Sequence, residues 1–193
     1  MQVKWGITGG IGAGKSFVAN LIRQLSIPVF DCDIRAKQLI VEDEKLRSSL
    51  ILTFGNEVYD EAGNLNRQYL AKQIFTNSDN LLKINAIVHP AVQKDFLQWA
   101  NEQVSEMVAM ECAILYESGF DKIVDKVLYI EAPTALRLER TMKRDNATRE
   151  EILQRIAKQQ CEHYIDQVDA VSINDGTKTK QQILEQLKQL FAI

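Results

Sequence analysis

The 193-residue sequence has only three cysteines, Cys32, Cys112 and Cys161, odd in number and far apart. That argues against a disulfide framework or a metal knuckle and fits reduced thiols. No apolar run approaches the roughly 18 residues of a membrane span, so no membrane partner is expected. There is no excess of basic charge: Lys and Arg number 23 against 26 acids, a formal net charge of −3. A general nucleic-acid binder usually shows the opposite balance, so none is expected here. Internal repeats and low-complexity linkers are missing, and Asn-Lys-x-Asp, the guanine-reading run of nucleotide switches, does not occur. The N-terminus passes directly into a strand-like segment without a signal peptide, which makes the cytoplasm the expected location.

What the chain does contain is ordinary globular composition, 46% apolar and 25% charged, of a size that suits one α/β domain with insertions. Near its start stands Gly9-Gly10-Ile11-Gly12-Ala13-Gly14-Lys15-Ser16, preceded by Val3-Lys4-Trp5-Gly6-Ile7-Thr8. This is P-loop spacing between a short buried strand and a helix whose apolar face is Phe17, Val18, Leu21, Ile22 and Leu25. Glycines let the backbone approach an anion, and successive N–H groups form a nest at a helix N-terminus. The nest of Gly10, Ile11, Gly12, Ala13, Gly14, Lys15 and Ser16 is expected to hold a nucleoside triphosphate, with Lys15 on the β- and γ-phosphates and Ser16 ligating Mg²⁺.

Pro28-Val29-Phe30 reads as a second strand running into Asp31-Cys32-Asp33. Ligands of parallel sheets gather beyond the carboxyl ends of strands. Asp31 and Asp33 are therefore candidates for metal coordination or for accepting a hydroxyl proton, and one of them also suits the cap of a helix starting near Ile34. Residues 34–106 read as mostly helical, with breaks at Phe54-Gly55-Asn56, at Tyr59 to Asn64 and at Asn77-Ser78-Asp79. Asp60-x-x-Gly63 follows no buried strand and reads as a loop. His89-Pro90 is expected to interrupt the helix and to project His89 out of regular packing. A segment this long between strands two and three exceeds a simple crossover and reads as a substrate-binding insertion.

Met107 to Tyr116 reads as one buried third strand that ends in Glu117, with Glu111 either near its start or in need of a partner. A fourth strand, Lys126 to Ile130, is stopped by Glu131-Ala132-Pro133. Then Arg137, Arg140 and Arg144 share one helix face, and Thr148 with Glu151 forms a capping box that starts another helix. Two cationic helices joined by a short polar turn suit a lid over a triphosphate, because arginine binds phosphate oxygens bidentately. Val168 to Ile173 reads as a fifth strand, followed by Asn174-Asp175-Gly176 and a last helix.

Taken together these motifs resemble the dephospho-coenzyme A kinase family. The resemblance runs end to end, through Gly6 to Ser16, Asp31-Cys32-Asp33, His89-Pro90, Arg140 to Asp145 and Asn174-Asp175-Gly176. Cys32 stands where Ala or Gly is commoner, Ala113-Ile114-Leu115-Tyr116-Glu117 replaces a frequent Pro-Leu-Leu-Phe-Glu, and Phe17 replaces Thr or Ser. The resemblance implies ATP-dependent phosphorylation of the ribose 3′-hydroxyl of dephospho-CoA. It also implies an α/β P-loop kinase core with a five-stranded parallel sheet, a helical CoA-binding insertion and a helical lid. The expected division is core at 1–33, 107–135 and 166–193, insertion at 34–106 and lid at 136–165. On this reading Asp33, Lys15 and Arg140 are catalytic, and Arg144 and Asn174 bind nucleotide. Asp31, His89 and Glu117 face the acceptor, and Ser16 binds the metal. ATP, Mg²⁺ and dephospho-CoA are the expected ligands, on a monomer or weak homo-oligomer. The rivals are a nucleoside monophosphate kinase and a non-enzymatic nucleotide switch.

Overall fold

The computed structural model of the chain describes residues 1–77, 79–159 and 161–193. Ser78, in the expected break at Asn77-Ser78-Asp79, lies outside the described residues. The chain divides into two compact units, residues 1–30 with 102–193, and residues 31–101.

The first unit is built on a five-stranded sheet. The strands are β1 (Val3–Gly9), β2 (Val29–Asp31), β3 (Met107–Glu111), β4 (Lys126–Glu131) and β5 (Ala170–Ile173), in the order β2-β3-β1-β4-β5. β1 is central and runs parallel to β3 and β4, and β4 runs parallel to β5. The last five residues of β1 are all buried, as a strand covered on both faces requires. Helix α1 (Lys15–Gln24) buries Val18, Ala19, Leu21 and Ile22, and the C-terminal helix α8 (Lys180–Phe191) buries Ile183, Leu187 and Phe191. Both helices contribute to one core with Trp5, Ile7, Ala109, Leu128 and Ile130. Trp5 meets Phe191 edge-on at 5.2 Å between ring centres, an arrangement aromatic quadrupoles favour.

After β4 come α6 (Thr134–Asp145) and α7 (Arg149–Lys158), then a 3₁₀ segment, Cys161–Gln167. Thr148 and Glu151 form the expected reciprocal capping box of α7. All three cysteines are buried thiols.

The second unit is helical: α2 (Cys32–Glu42), α3 (Glu44–Phe54), α4 (Arg67–Thr76) and α5 (Asp79–Glu102). Apolar residues recur every fourth position on α5, where Ile84, Val88, Val92, Phe96 and Ala100 are buried. Arg35 of α2 bonds both carboxylate oxygens of Asp95 on α5, each at 2.8 Å. The Tyr59 hydroxyl donates to the Ile40 carbonyl at 2.6 Å, under the guanidinium of Arg47.

Two expectations are corrected. α5 is continuous through Pro90 rather than interrupted there. Pro90 and Ala86, the residue whose carbonyl loses its helical donor, are both exposed, so water replaces the bond the proline removes. And β3 ends at Glu111 rather than Glu117. The second half of that apolar run is an irregular turn-rich segment with Leu115 fully packed.

Candidate active site

The loop from Gly9 to Gly14 joins β1 to α1. Gly12 and Gly14 take positive φ of 77° and 96°, a region L-residues rarely adopt. The loop closes on itself through Ala13 N–H to the Gly10 carbonyl at 3.1 Å. Gly14 is the N-cap of α1, and no side chain caps that helix. Its first-turn N–H groups and positive dipole end are therefore disposed toward an anion. The Lys15 ammonium donates to the carbonyls of Gly9 at 2.9 Å and Gly10 at 3.2 Å, which keep it beside the loop.

Ser16 Oγ donates to Glu111 Oε1 at 2.7 Å. Glu111 is 8% exposed and stands at the carboxyl end of β3, opposite Ile7 of β1. Of the two alternatives left by the sequence the second holds: Glu111 is not near the start of the strand but is its terminal acid, and its partner is the P-loop serine. Two oxygen groups at this spacing suit a hard cation. Among the described residues, no cluster of three or more His, Cys, Asp or Glu forms a metal cage. Mg²⁺ needs no such cage, since it is held by one or two protein oxygens and completes its shell with water and phosphate. The sequence did contain the signal for Glu111, since an apolar run from Met107 to Tyr116 is long for one strand and the acid divides it.

The arginines of α6 part company. Arg140 is half-buried and donates to the Asn174 carbonyl at 3.1 Å. Asn174, 7% exposed at the end of β5, donates its amide to the Ala13 carbonyl at 2.8 Å. A side chain on Gly14 would stand 2.1 Å from that same amide, so Arg140 and Asn174 both belong to the wall of the loop. Arg144, whose side chain is 62% exposed, instead pairs with Asp145 at 2.7 Å. The Arg144 guanidinium, helped by Arg155, holds the Asp145 carboxyl below its ordinary range. The structure therefore does not bring Arg144 to the loop. Helix rise explains the split: Arg144 lies seven residues beyond Arg137, about 10 Å along the axis at 1.5 Å per residue.

Arg137 and Gln159 were not among the expected site residues, yet both reach the loop. Arg137 donates to the Ile11 carbonyl at 2.9 Å, and Gln159 accepts from the Ile11 N–H at 2.6 Å. Arg137 was visible as part of a cationic face, whereas nothing in the sequence distinguishes Gln159 at the end of its helix. Cys161, two residues on, is buried beside the Tyr129 hydroxyl; burial pushes its thiol up, while the charges of Lys15 and Arg137 pull it the other way.

The remaining expected residues are placed as follows. Asp31 ends β2 and caps α2, its carboxylate accepting from the Ile34 N–H at 2.9 Å. Asp33 lies in the first turn of α2 and is exposed. His89 is half-buried on α5, and burial pulls its imidazole below the ordinary 6.5, so it is neutral at neutral pH. Glu117 is exposed in the turns after β3.

Comparison with known proteins gives a consistent result. The family model described as "Dephospho-CoA kinase" matches residues 3–181. A dephospho-CoA kinase of Bacteroides fragilis is 40% identical over 194 residues, covering 99% of this chain and 94% of its own. One from Porphyromonas gingivalis is 45% identical over 157 residues, covering 81% and 77% respectively. A crystal structure of a Thermus thermophilus protein superposes with a TM-score of 0.82 at 30% identity, over 99% of this chain and 97% of that one.

Proposed function

The chain belongs to the dephospho-CoA kinase family, and from that premise we propose how its residues divide the work. The enzyme transfers a phosphoryl group from ATP to dephospho-CoA, the final step of coenzyme A synthesis. Such a transfer demands an aligned nucleophile, neutralised phosphate charge and a site closed to water.

The triphosphate rests in the loop Gly10-Ile11-Gly12-Ala13-Gly14-Lys15-Ser16, on N–H groups other than those of Ile11 and Ala13, which Gln159 and the Gly10 carbonyl hold, with Lys15 leaving its two carbonyl acceptors to meet the β- and γ-phosphates. Ser16 and Glu111 would hold Mg²⁺, the serine as ligand and the buried carboxylate through it, and the ion would supply neutralisation of phosphate charge. Arg140 stabilises charge on the transferring group, and Asn174 fixes the loop wall on the adenine side. Asp33 accepts or orients the proton of the ribose 3′-hydroxyl. Asp31, His89 and Glu117 serve the acceptor, with Asp31 acting through the start of α2 and His89 as a neutral imidazole. Arg144 reaches nucleotide after exchanging Asp145 for phosphate. Residues 34–106 bind the acceptor, and residues 136–165 form the lid.

The observation that carries this reading is the Ser16–Glu111 contact of 2.7 Å at a helix N-terminus whose first turn has no side-chain cap. Its test is Lys15→Ala, assayed with ATP against dephospho-CoA and a panel of nucleoside monophosphates. The expected result is turnover of dephospho-CoA alone by the wild type, and loss of most of it in the variant at an unchanged melting temperature. Near-wild-type turnover in the variant would overturn the role of Lys15, and a preferred nucleoside monophosphate would overturn the acceptor.

A further inference from the structure

Of the three arginines on α6, Arg137 is the buried one, at 4% exposure. Its Nε donates to the Ile11 carbonyl at 2.9 Å, and its Nη1 is paired with the Glu162 carboxylate. Nη2 is buried without a hydrogen-bond partner. The guanidinium lies against Gly10, where a Cβ would stand 2.2 Å from Nη2 and 2.3 Å from Cζ. One turn further, Thr141 Oγ1 donates to the Arg137 carbonyl at 2.7 Å. Those two oxygens fall 2.5 Å and 2.3 Å from where a Cβ on Gly12 would be. Gln159, which ends α7, accepts from the Ile11 N–H.

Both peptide groups flanking the Ile11 Cα are therefore gripped, the N–H by Gln159 and the carbonyl by Arg137. Their neighbours on either side are glycines, the residues that lose most conformational freedom when ordered. For stability alone this is a poor arrangement. The guanidinium is buried while its partner Glu162 is 58% exposed, so the ion pair does little to offset the arginine's desolvation, and an N–H buried without an acceptor is a further penalty. An apolar side chain of similar length would cover Gly10 without either cost. Only arginine's fixed fork reaches a carbonyl and a carboxylate at the same time while lying on a glycine.

We infer that Arg137 is a positioning residue for the P-loop: through the Ile11 carbonyl, and together with Gln159, it presets Gly10-Ile11-Gly12 in the shape that receives the phosphates of ATP. It acts through the loop and touches no reacting atom. The inference rests on the ATP reading of that loop. It also ties the base of α6 and the end of α7 to a single loop residue, so the two helices share one attachment to the nucleotide site.

The test uses full-length Arg137→Met and Arg137→Lys. Four quantities are measured: melting temperature, ADP affinity by calorimetry, KM for ATP and for dephospho-CoA, and kcat. Met keeps the cover over Gly10 and removes the donor, so melting temperature should hold or rise. ADP affinity should fall, and kcat/KM for ATP should drop by about 10²-fold, the scale of a small misplacement of reacting groups. KM for dephospho-CoA should stay within twofold, roughly the scatter of uncoupled sites. Lys should restore part of the ADP affinity, since it can donate to Ile11 but cannot also pair Glu162 in a fork. Wild-type ADP affinity and KM for ATP in Arg137→Met would overturn the inference. So would an activity loss that merely follows loss of folded protein. If the wild type binds ADP but leaves dephospho-CoA unmodified, the acceptor assignment fails, and the ADP affinities of the variants still decide the role of Arg137.

Discussion

Glu111 accepts the Ser16 hydroxyl from a nearly dry position at the end of β3, so its charge and its hydrogen bond can be separated. Glu111→Gln keeps an acceptor for Ser16 and removes the carboxylate. The expected outcome is a higher Mg²⁺ requirement with much of the rate restored at high Mg²⁺. If Ser16 is the metal ligand, Ser16→Ala should lower kcat by about 10²–10³-fold, the scale of one electrostatic contact in the transition state, without such rescue. Rate measured against Mg²⁺ concentration distinguishes the two, and identical curves for both variants would remove Glu111 from the metal site. Asp31 and Asp33 are separated in the same way. Asp31 is a helix cap, and asparagine caps as well as aspartate, so Asp31→Asn should be near neutral in stability while Asp31→Ala costs about 1 kcal/mol. Asp33 makes its case through chemistry: Asp33→Asn should lower kcat by about 10²–10⁴-fold, the range of general acid–base help, with little change in melting temperature. A kcat unchanged in Asp33→Asn would strip it of the proton role.

Whole elements were legible where one physical rule governed the spacing. Glycines, lysine and serine at P-loop intervals between a buried strand and an amphipathic helix left little else to build, and β1, the loop and α1 stand there. The capping box of α7 is equally local, because Thr148 and Glu151 bond each other's backbone. What the sequence hid depends on partners distant along the chain. Glu111 divides the ten-residue run from Met107 to Tyr116, but that the strand stops at this acid and the rest packs as turns depends on Ser16, 95 residues away, which gives Glu111 its place. Likewise the face shared by Arg137, Arg140 and Arg144 is visible as a period, while the depth of each residue against the loop is set by where α6 begins. Pro90 misled for another reason: a proline lowers the stability of a helix without always ending it, and here the buried face of α5 carries the helix through while the freed carbonyl lies on an exposed residue. Because α5 is continuous, His89 sits in its packing rather than out of it. Its imidazole is lowered below 6.5 by burial, so the unfolded chain binds a proton more readily than the folded one. Stability is then fully present above 6.5 and is lost as pH falls from there through the lowered folded value. His89→Gln should flatten that limb, so the melting temperature of the wild type should fall relative to the variant between about pH 7.5 and 5. A difference between the two that does not change over this range would mean burial leaves His89 unshifted.

At the scale of the molecule, the chain interrupts one compact unit after Phe30, builds a second from residues 31–101, and returns to the first. Within residues 31–101, Arg35 pairs with Asp95, Arg47 lies over Tyr59, and Tyr69 donates to the Phe54 carbonyl. α1, α6 and the Gln159 end of α7, in contrast, converge on the P-loop through Lys15, Arg140, Arg137 and Gln159. If the first unit binds ATP and the second the acceptor, each ligand should slow amide exchange in its own unit, because binding stabilises the folded form of the segment it contacts. Hydrogen exchange read by mass spectrometry tests this with ADP alone, and then with dephospho-CoA added at saturating ADP. The order matters, since the acceptor carries a pyrophosphate that could itself enter an empty P-loop. ADP should protect residues 9–16, the start of α1 and peptides from α6 and α7, and leave α3 and α5 unchanged. Dephospho-CoA should then protect peptides within 31–101, including the start of α2, where Asp31 and Asp33 lie, and the middle of α5 around His89. Protection by the second ligand confined to residues 102–193 would contradict the assignment of the helical unit to the acceptor and return that role to the turns around Glu117.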